Sequence, residues 1–353
     1  MTPKLVGAAD AVAALDRYDA IVDVRSPAEF AEDHLPGAVN WPVLSDEQRA
    51  RVGTLYVQSS PMAARQVGAA LVARNIADHV ERHVQGLPRE WQPLVYCWRG
   101  GQRSGAMAWF LGQIGFRTAQ LQGGYKAFRA LVRAELAERP LRFAYRVLAG
   151  RTGSGKTRLL QALREAGAQV LDLEGIACHR GSVLGGLPGT PQPSQKAFDT
   201  ALWQALRALD PARPVFVESE SKKVGSLQLP DALVQRMREH GECLRVQMGD
   251  AARTQLLLDE YGFFARDVEG FCKLLDALTD LRGRERVQHW QAMARAGRWA
   301  ELFALLMAEH YDPLYERSMQ RHFAGLAVAP VVDLADGGPA SLARAARALA
   351  EQA

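Results

Sequence analysis

The chain has 353 residues, 48% of them hydrophobic and 23% charged, with a formal net charge of +4. This is the profile of an ordinary soluble globular protein, long enough for two domains. No Lys/Arg block marks it as a nucleic-acid binder on charge alone, and no apolar run approaches the roughly 18 residues of a membrane span.

Four cysteines, Cys97, Cys178, Cys243 and Cys272, show neither CxxC pairing nor a disulfide-like framework. With no signal-peptide stretch at the N-terminus, the expected location is the cytoplasm. Ala20-Ile21-Val22-Asp23-Val24-Arg25 reads as a β-branched strand ending in a charged pair, expected to be a structural ion pair rather than catalytic. Ser26-Pro27-Ala28-Glu29 then carries the pattern of a capping box with proline at the first helical position. His34, beside Pro36-Gly37, is expected to pack or hydrogen-bond. A helical pattern follows over 61–76.

The next stretch, Leu94-Val95-Tyr96-Cys97-Trp98-Arg99-Gly100-Gly101-Gln102-Arg103-Ser104, organises the first half of the chain. A buried strand leads into a glycine-bearing loop and then a helix, so backbone N–H groups can turn inward as an anion nest at a helix N-terminus. Cationic neighbours complete the surroundings of a reactive thiol, with Cys97 as nucleophile and Arg103 and Arg99 as anion-binding groups. The alternative is a buried, inert cysteine. A further strand at Ala119-Gln120-Leu121 and a helix from Tyr125 to Leu136 give the strand–helix alternation of an α/β sheet.

Asp23-Val24-Arg25, Glu29-Phe30, His34-Leu35-Pro36-Gly37-Ala38, the Cys97 loop and Leu121-Gln122-Gly123-Gly124 resemble, in order, the signatures of a rhodanese domain. The resemblance implies that Cys97 carries sulfur or selenium. Its Cys-x5-Arg spacing is one residue longer than the usual sulfurtransferase loop and resembles that of cysteine-dependent phosphatases, although Tyr96 stands where those place a histidine.

Pro140 ends the last helix of this region and sets the expected division, a first domain over 1–138 and a second over 141–353. A strand at Phe143–Leu148 runs into Gly150-Arg151-Thr152-Gly153-Ser154-Gly155-Lys156-Thr157, a complete G-x4-G-K-T phosphate loop with a helix behind it. Gly150, Gly153, Ser154, Gly155, Lys156 and Thr157 are therefore expected to cradle a di- or triphosphate, with the Thr157 hydroxyl suited to Mg²⁺. Strands are expected at 169–174 and 214–221, the second resembling a Walker B position with Glu218 in place of aspartate. Asp172 and Glu218 are each read as either a ligand-side carboxylate or a solvated strand-end acid. No dedicated metal-ligand set is expected.

Between those strands, Cys178-His179 is too small a pair for a metal site, and the Gly/Pro-rich run to Pro193 is a loop. Lys222-Lys223 reads as phosphate- or RNA-facing, or simply solvated. From Asp250 onward the pattern is mostly helical. Arg282, Arg284, Arg286, Arg295 and Arg298 interleave with Trp290 and Trp299, which suits either unpaired bases or a packed amphipathic bundle, the latter favoured. His310-Tyr311-Asp312-Pro313 is compact and polar-aromatic enough to suggest a site. A final strand at 328–334 and a closing helix at 342–349 complete the pattern.

The expected fold is thus a rhodanese-like α/β domain followed by a P-loop NTPase-like α/β domain with a mostly helical C-terminal part. With Asp172-Leu173-Glu174-Gly175, His179-Arg180-Gly181-Ser182, Glu218-Ser219-Glu220-Ser221 and His310-Tyr311-Asp312-Pro313, the arrangement resembles the tRNA 2-selenouridine synthase family over essentially the full length. That resemblance implies action on wobble 2-thiouridine in tRNA. Sulfur is first alkylated from geranyl diphosphate, and selenium from selenophosphate then replaces the geranylthio group. Partners would be tRNA and these two co-substrates, with Mg²⁺ as a helper, no membrane, and a monomer as the default. The competing reading is a cysteine-dependent phosphatase or sulfurtransferase fused to a nucleotide-binding, kinase-like domain. The synthase reading requires a thiol that reaches solvent and a lysine-bearing turn clear of its own side chains.

Overall fold

The computed structural model describes residues 2–352, excepting the side chains of 320 and 324. It divides into two compact units, Met1–Glu135 with Ser194–Thr200, and Leu136–Pro193 with Ala201–Ala353. Chain order does not reveal that the segment 194–200 belongs with the first unit. Polar bonds hold it there: Arg129 reaches Asp199 Oδ2 at 2.7 Å and Thr200 Oγ1 at 3.0 Å, and Thr200 Oγ1 donates to Asp33 at 3.0 Å.

The first unit is built on five parallel strands, β1 (Lys4–Val6), β2 (Ala20–Asp23), β3 (Ala38–Asn40), β4 (Pro93–Tyr96) and β5 (Ala119–Leu121), in the order β1-β5-β4-β2-β3. β4 is central and buried along its whole length, as its unbroken apolar run requires. The expected capping box forms between Ser26 and Glu29 and starts the helix Pro27–Glu32. β1 and a short helix Ala8–Val12 were not anticipated, and two further helices differ from expectation. The helix from Pro61 runs on to His83, and a helix Asp46–Gln58 precedes it, opened by a second capping box between Ser45 and Gln48.

The charged pair ending β2 is structural. Asp23 and Arg25 are both fully buried, joined at 2.6 Å, and Arg25 also donates to the Asp33 carbonyl at 2.6 Å while its guanidinium lies 3.9 Å from the Tyr125 ring centroid. Such a pair holds its geometry because each buried charge is matched. His34 packs on Phe30 at 3.9 Å and bonds to the Phe30 carbonyl.

The second unit has five parallel strands, β6 (Tyr145–Ala149), β7 (Gln169–Leu171), β8 (Val215–Glu218), β11 (Glu242–Met248) and β12 (Val331–Leu334), in the order β12-β11-β6-β8-β7. A two-stranded hairpin, β9 (Lys223–Val224) and β10 (Leu227–Gln228), lies between β8 and β11 in sequence. β7 stops at Leu171, three residues short of expectation, because Asp172 caps a short helix Leu173–Ala177 through the Gly175 N–H. β6 sits centrally, so the loop that follows it opens at the carboxyl end of the sheet, where open α/β sheets bind ligands.

The C-terminal helices form their own core around Phe271, Leu275, Leu278, Trp290, Leu302 and Leu306. Trp290 is fully buried, and the neighbouring arginines point outward into ion pairs: Arg286 to Glu309, Arg295 to Glu269 and Arg298 to Glu301. The interleaved arginines and tryptophans are therefore a packed amphipathic bundle. Among the described residues, no helix is long and apolar enough to cross a membrane.

Candidate active site

In the first unit, β4 delivers Cys97 to the floor of the loop that leads into the helix Gln102–Ile114. Two glycine-bearing turns interlock there. Gly100 has φ +63°, and a Cβ on it would fall 2.4 Å from the Leu121 carbonyl; Gly124 has φ +58°, and a Cβ there would fall 2.2 Å from the Cys97 carbonyl. This close approach explains why Leu121-Gln122-Gly123-Gly124 accompanies the cysteine loop. Tyr125 N–H donates to the Cys97 carbonyl and Lys126 N–H to the Trp98 carbonyl, both at 2.9 Å.

The structure corrects two features expected of this loop. The thiol that the synthase reading needs at solvent is almost closed off, since only 4% of Cys97 remains accessible, because its backbone lies against Gly124 and its side chain joins the sheet core; its reaction with an RNA base therefore requires the loop over it to open. Arg103 is not free to face an anion, because its NH1 donates to Glu29 Oε2 at 2.8 Å. Burial alone would raise the Glu29 carboxyl, yet Arg103, the Ser26 N–H and Arg49 together hold it below the ordinary range. Arg99 is exposed on the loop. Ser104, fully buried, donates its hydroxyl to Cys97 Sγ at 3.2 Å.

In the second unit, Gly150 to Thr157 form a tight glycine-bearing turn, but it is crossed by its own lysine side chain and so is not clear in the way the synthase reading asked. Gly153 and Gly155 have φ of +75° and +83°, and a Cβ on Gly150 would fall 2.5 Å from both the Ser154 hydroxyl and the Val246 carbonyl. Ser154 is buried, its hydroxyl pointing inward without a partner. The helix Lys156–Glu165 starts inside the motif. Lys156 Nζ spans the loop, donating to the carbonyls of Gly150 at 2.7 Å and Arg151 at 3.2 Å. The turn opens on a cavity of about 770 Å³ lined by Lys156, Thr157, Glu174 and Glu220 and also by Leu256, Leu257, Tyr261 and Tyr311.

Carboxylates gather beside Thr157. Oxygens of Glu174, Glu218 and Glu220 lie within 4.8 Å of one another, and Thr157 Oγ1 donates to Glu174 at 3.2 Å. Glu218 is fully buried with neither oxygen partnered. Burial first, and the neighbouring carboxylates second, push all three well above the usual carboxylate range. A buried cluster that resists ionisation in this way fits a divalent cation, whose charge would replace the protons. Asp172 stands outside this cluster; it lines the cavity as a helix cap, 3.6 Å from Arg164.

Arg253 was not anticipated. It is 98% buried by its side chain, donates twice to the Thr152 carbonyl at 3.0 and 2.7 Å, and pairs with both oxygens of Asp312 at 3.0 and 2.6 Å. Asp312 follows a π-helical turn at Met307–Tyr311 and holds the phosphate loop through Arg253, whereas His310 and Tyr311 of the suspected stretch line the cavity. Replacing Arg253 with leucine should cost about 3 kcal/mol in urea unfolding, by stranding Asp312 and the Thr152 carbonyl. His310 is buried and pushed down to about 4 by burial and by Arg282, whose Nε donates to its ring at 3.0 Å. It lines the cavity as a neutral ring. His179 also lines the cavity, whereas Cys178 bonds weakly to the Gly175 carbonyl, and the two join no metal cluster among the described residues. Lys222 pairs with Asp231 at the surface.

Arg253 carried no local signal in the sequence. Glu174 and Glu220 each sit two residues from the assigned Asp172 and Glu218, within stretches already singled out, and only the folded sheet shows which carboxylates converge.

Residues 7–131 match the rhodanese-like domain family, and residues 143–273 match the family described as the tRNA 2-selenouridine synthase AAA domain. A tRNA 2-selenouridine synthase of Sulfurovum sp. is 32% identical, covering 86% of this chain and 89% of that one. The enzyme of that name from Alcanivorax borkumensis is 32% identical over 85% of this chain and 90% of its own. A third, from Nitrosomonas europaea, is 36% identical over 68% of this chain and 63% of its own. With a thiol loop in a rhodanese-like sheet, a complete phosphate loop in a second sheet, and relatives of this name matched over nearly their whole length, the chain belongs to the tRNA 2-selenouridine synthase family of enzymes.

Proposed function

We propose that the chain converts wobble 2-thiouridine of tRNA to 2-selenouridine in two steps. In the first, the thiocarbonyl sulfur attacks the allylic carbon of geranyl diphosphate, an S–C bond forms, and pyrophosphate leaves. In the second, the Cys97 sulfur attacks the ring carbon and geranylthiol leaves; the selenium of selenophosphate then attacks that carbon, a C–Se bond forms and the Cys97 sulfur leaves, and water cleaves the Se–P bond to release phosphate and 2-selenouridine. S-alkylation turns a poor leaving group into a good one, which is why two steps are needed.

The single observation that carries this reading is the amphipathic phosphate-loop cavity. Lys156, Thr157 and the loop amides offer a diphosphate its anion contacts, while Leu256, Leu257, Tyr261 and Tyr311 line the same space with carbon. Donors aimed at the departing pyrophosphate lower the barrier by meeting charge where it develops. Thr157 with Glu174, Glu218 and Glu220 would hold Mg²⁺, which when bound supplies charge neutralisation to the diphosphate.

That role has its own check. Mg²⁺ should raise the melting temperature by about 3 °C at saturating concentration, and Glu218→Gln should remove most of that increment. Differential scanning fluorimetry with and without the cation measures both.

A phosphatase reading needs Arg103 to grip the substrate phosphate, and its ion pair with Glu29 opposes that. The test of the function uses the full chain with an anticodon stem-loop bearing 2-thiouridine, geranyl diphosphate and selenophosphate, analysed by nucleoside mass spectrometry. Geranylated and selenated nucleosides are expected in that order. An unmodified nucleoside, together with aryl phosphate hydrolysis lost in Cys97→Ser, would favour the competing reading.

A further inference from the structure

Gln120 lies in the middle of β5, opposite Val95 of β4, and is 8% exposed. Its side chain reaches under the cysteine loop. Nε2 donates to the Gly100 carbonyl at 2.8 Å and to Ser104 Oγ at 3.1 Å, with the Gly101 carbonyl at 3.5 Å. Two of these three neighbours are carbonyl oxygens, which only accept, so the amide nitrogen must face them and the orientation of the side chain is fixed by its surroundings.

The consequence falls on Ser104. A hydroxyl has one proton, and here its oxygen already accepts from Gln120, so the proton must go to another acceptor. Two are in reach, Cys97 Sγ at 3.2 Å and the Gly101 carbonyl at 3.3 Å. The Gly101 carbonyl already takes the Gly105 N–H at 2.9 Å as the first bond of the helix. The sulfur is therefore the acceptor left wanting, and more so when it carries negative charge, since a charged acceptor makes the stronger bond.

We infer that Gln120 is a positioning residue for Cys97: by donating to Ser104 it orients the serine proton onto the sulfur and holds the nucleophile in place. The inference rests on Cys97 being the reacting thiol of the proposed function, yet it is tested on the thiol itself. In the full chain, the rate of Cys97 alkylation by iodoacetamide is followed at neutral pH by peptide mass spectrometry, with hydrogen exchange of the β2 and β4 peptides reporting an intact first unit.

Gln120→Met should slow Cys97 alkylation about tenfold at neutral pH. Ser104→Ala should do the same, and the double variant should be no slower than either alone, because both remove one relay. A wild-type rate in Gln120→Met with β2 and β4 still protected overturns the inference, as do two effects that simply add. If exchange shows that the methionine variant is misfolded, Gln120→Leu decides, since it too has no donor: a slowed rate supports the relay and an unchanged one overturns it. A Cys97→Ser chain that still selenated RNA would instead refute the function and leave the alkylation result standing.

Discussion

Lys156→Ala is expected to lose geranylated tRNA formation by about a hundredfold or more, read directly as the geranylthio nucleoside by mass spectrometry. The lysine is poised rather than idle. Its ammonium bridges the carbonyls of Gly150 and Arg151, so its charge is already held across the mouth of the turn before any ligand arrives. A diphosphate would exchange those carbonyls for stronger, charge-assisted partners. Lys156 is only half-buried but its charge offsets the buried Glu174, Glu218 and Glu220, so the melting temperature is measured beside the activity to separate chemistry from folding. Geranylation at the wild-type rate would remove the phosphate loop from the first step.

The second large effect is expected from Cys97→Ser, which should abolish selenouridine while geranylated RNA accumulates. Serine is nearly the size of cysteine and can still accept the Ser104 hydroxyl proton, so the floor of the loop should keep its shape. What it lacks is a sulfur able to act as a nucleophile at the ring carbon and then leave. Conversion of geranylated RNA to selenouridine by this variant would take the nucleophile's role from Cys97.

The parts of the fold that were legible are those whose causes are local. A capping box, a proline at a first helical turn and a G-x4-G-K-T run each act within a few residues, and Ser26–Glu29 and the Lys156 loop formed where those signals stand. Helix Asp46–Gln58 carried such a signal too, the Ser45–Gln48 box, but it buries no residue fully, so no apolar stripe announced it. β11 was hidden because Arg245 interrupts its apolar run.

At the sites, identity was easier to read than partnership. Cys97, Arg103 and Glu218 stand out in sequence, but that Cys97 is buried, that Arg103 is taken by Glu29, and that Glu218 meets Glu174 and Glu220 are facts of the folded sheet. Arg253 reaches 101 positions back along the chain to the Thr152 carbonyl, and no spacing rule connects them.

The central claim is that two separate anion cradles in one chain act in sequence on one RNA base. Supplying the anticodon stem-loop already geranylated tests it most directly, with selenophosphate and either variant, followed by nucleoside mass spectrometry. Lys156→Ala should form 2-selenouridine at close to the wild-type rate while Cys97→Ser forms none. Selenouridine from Cys97→Ser, or none from Lys156→Ala, would contradict the division of labour between the two sites.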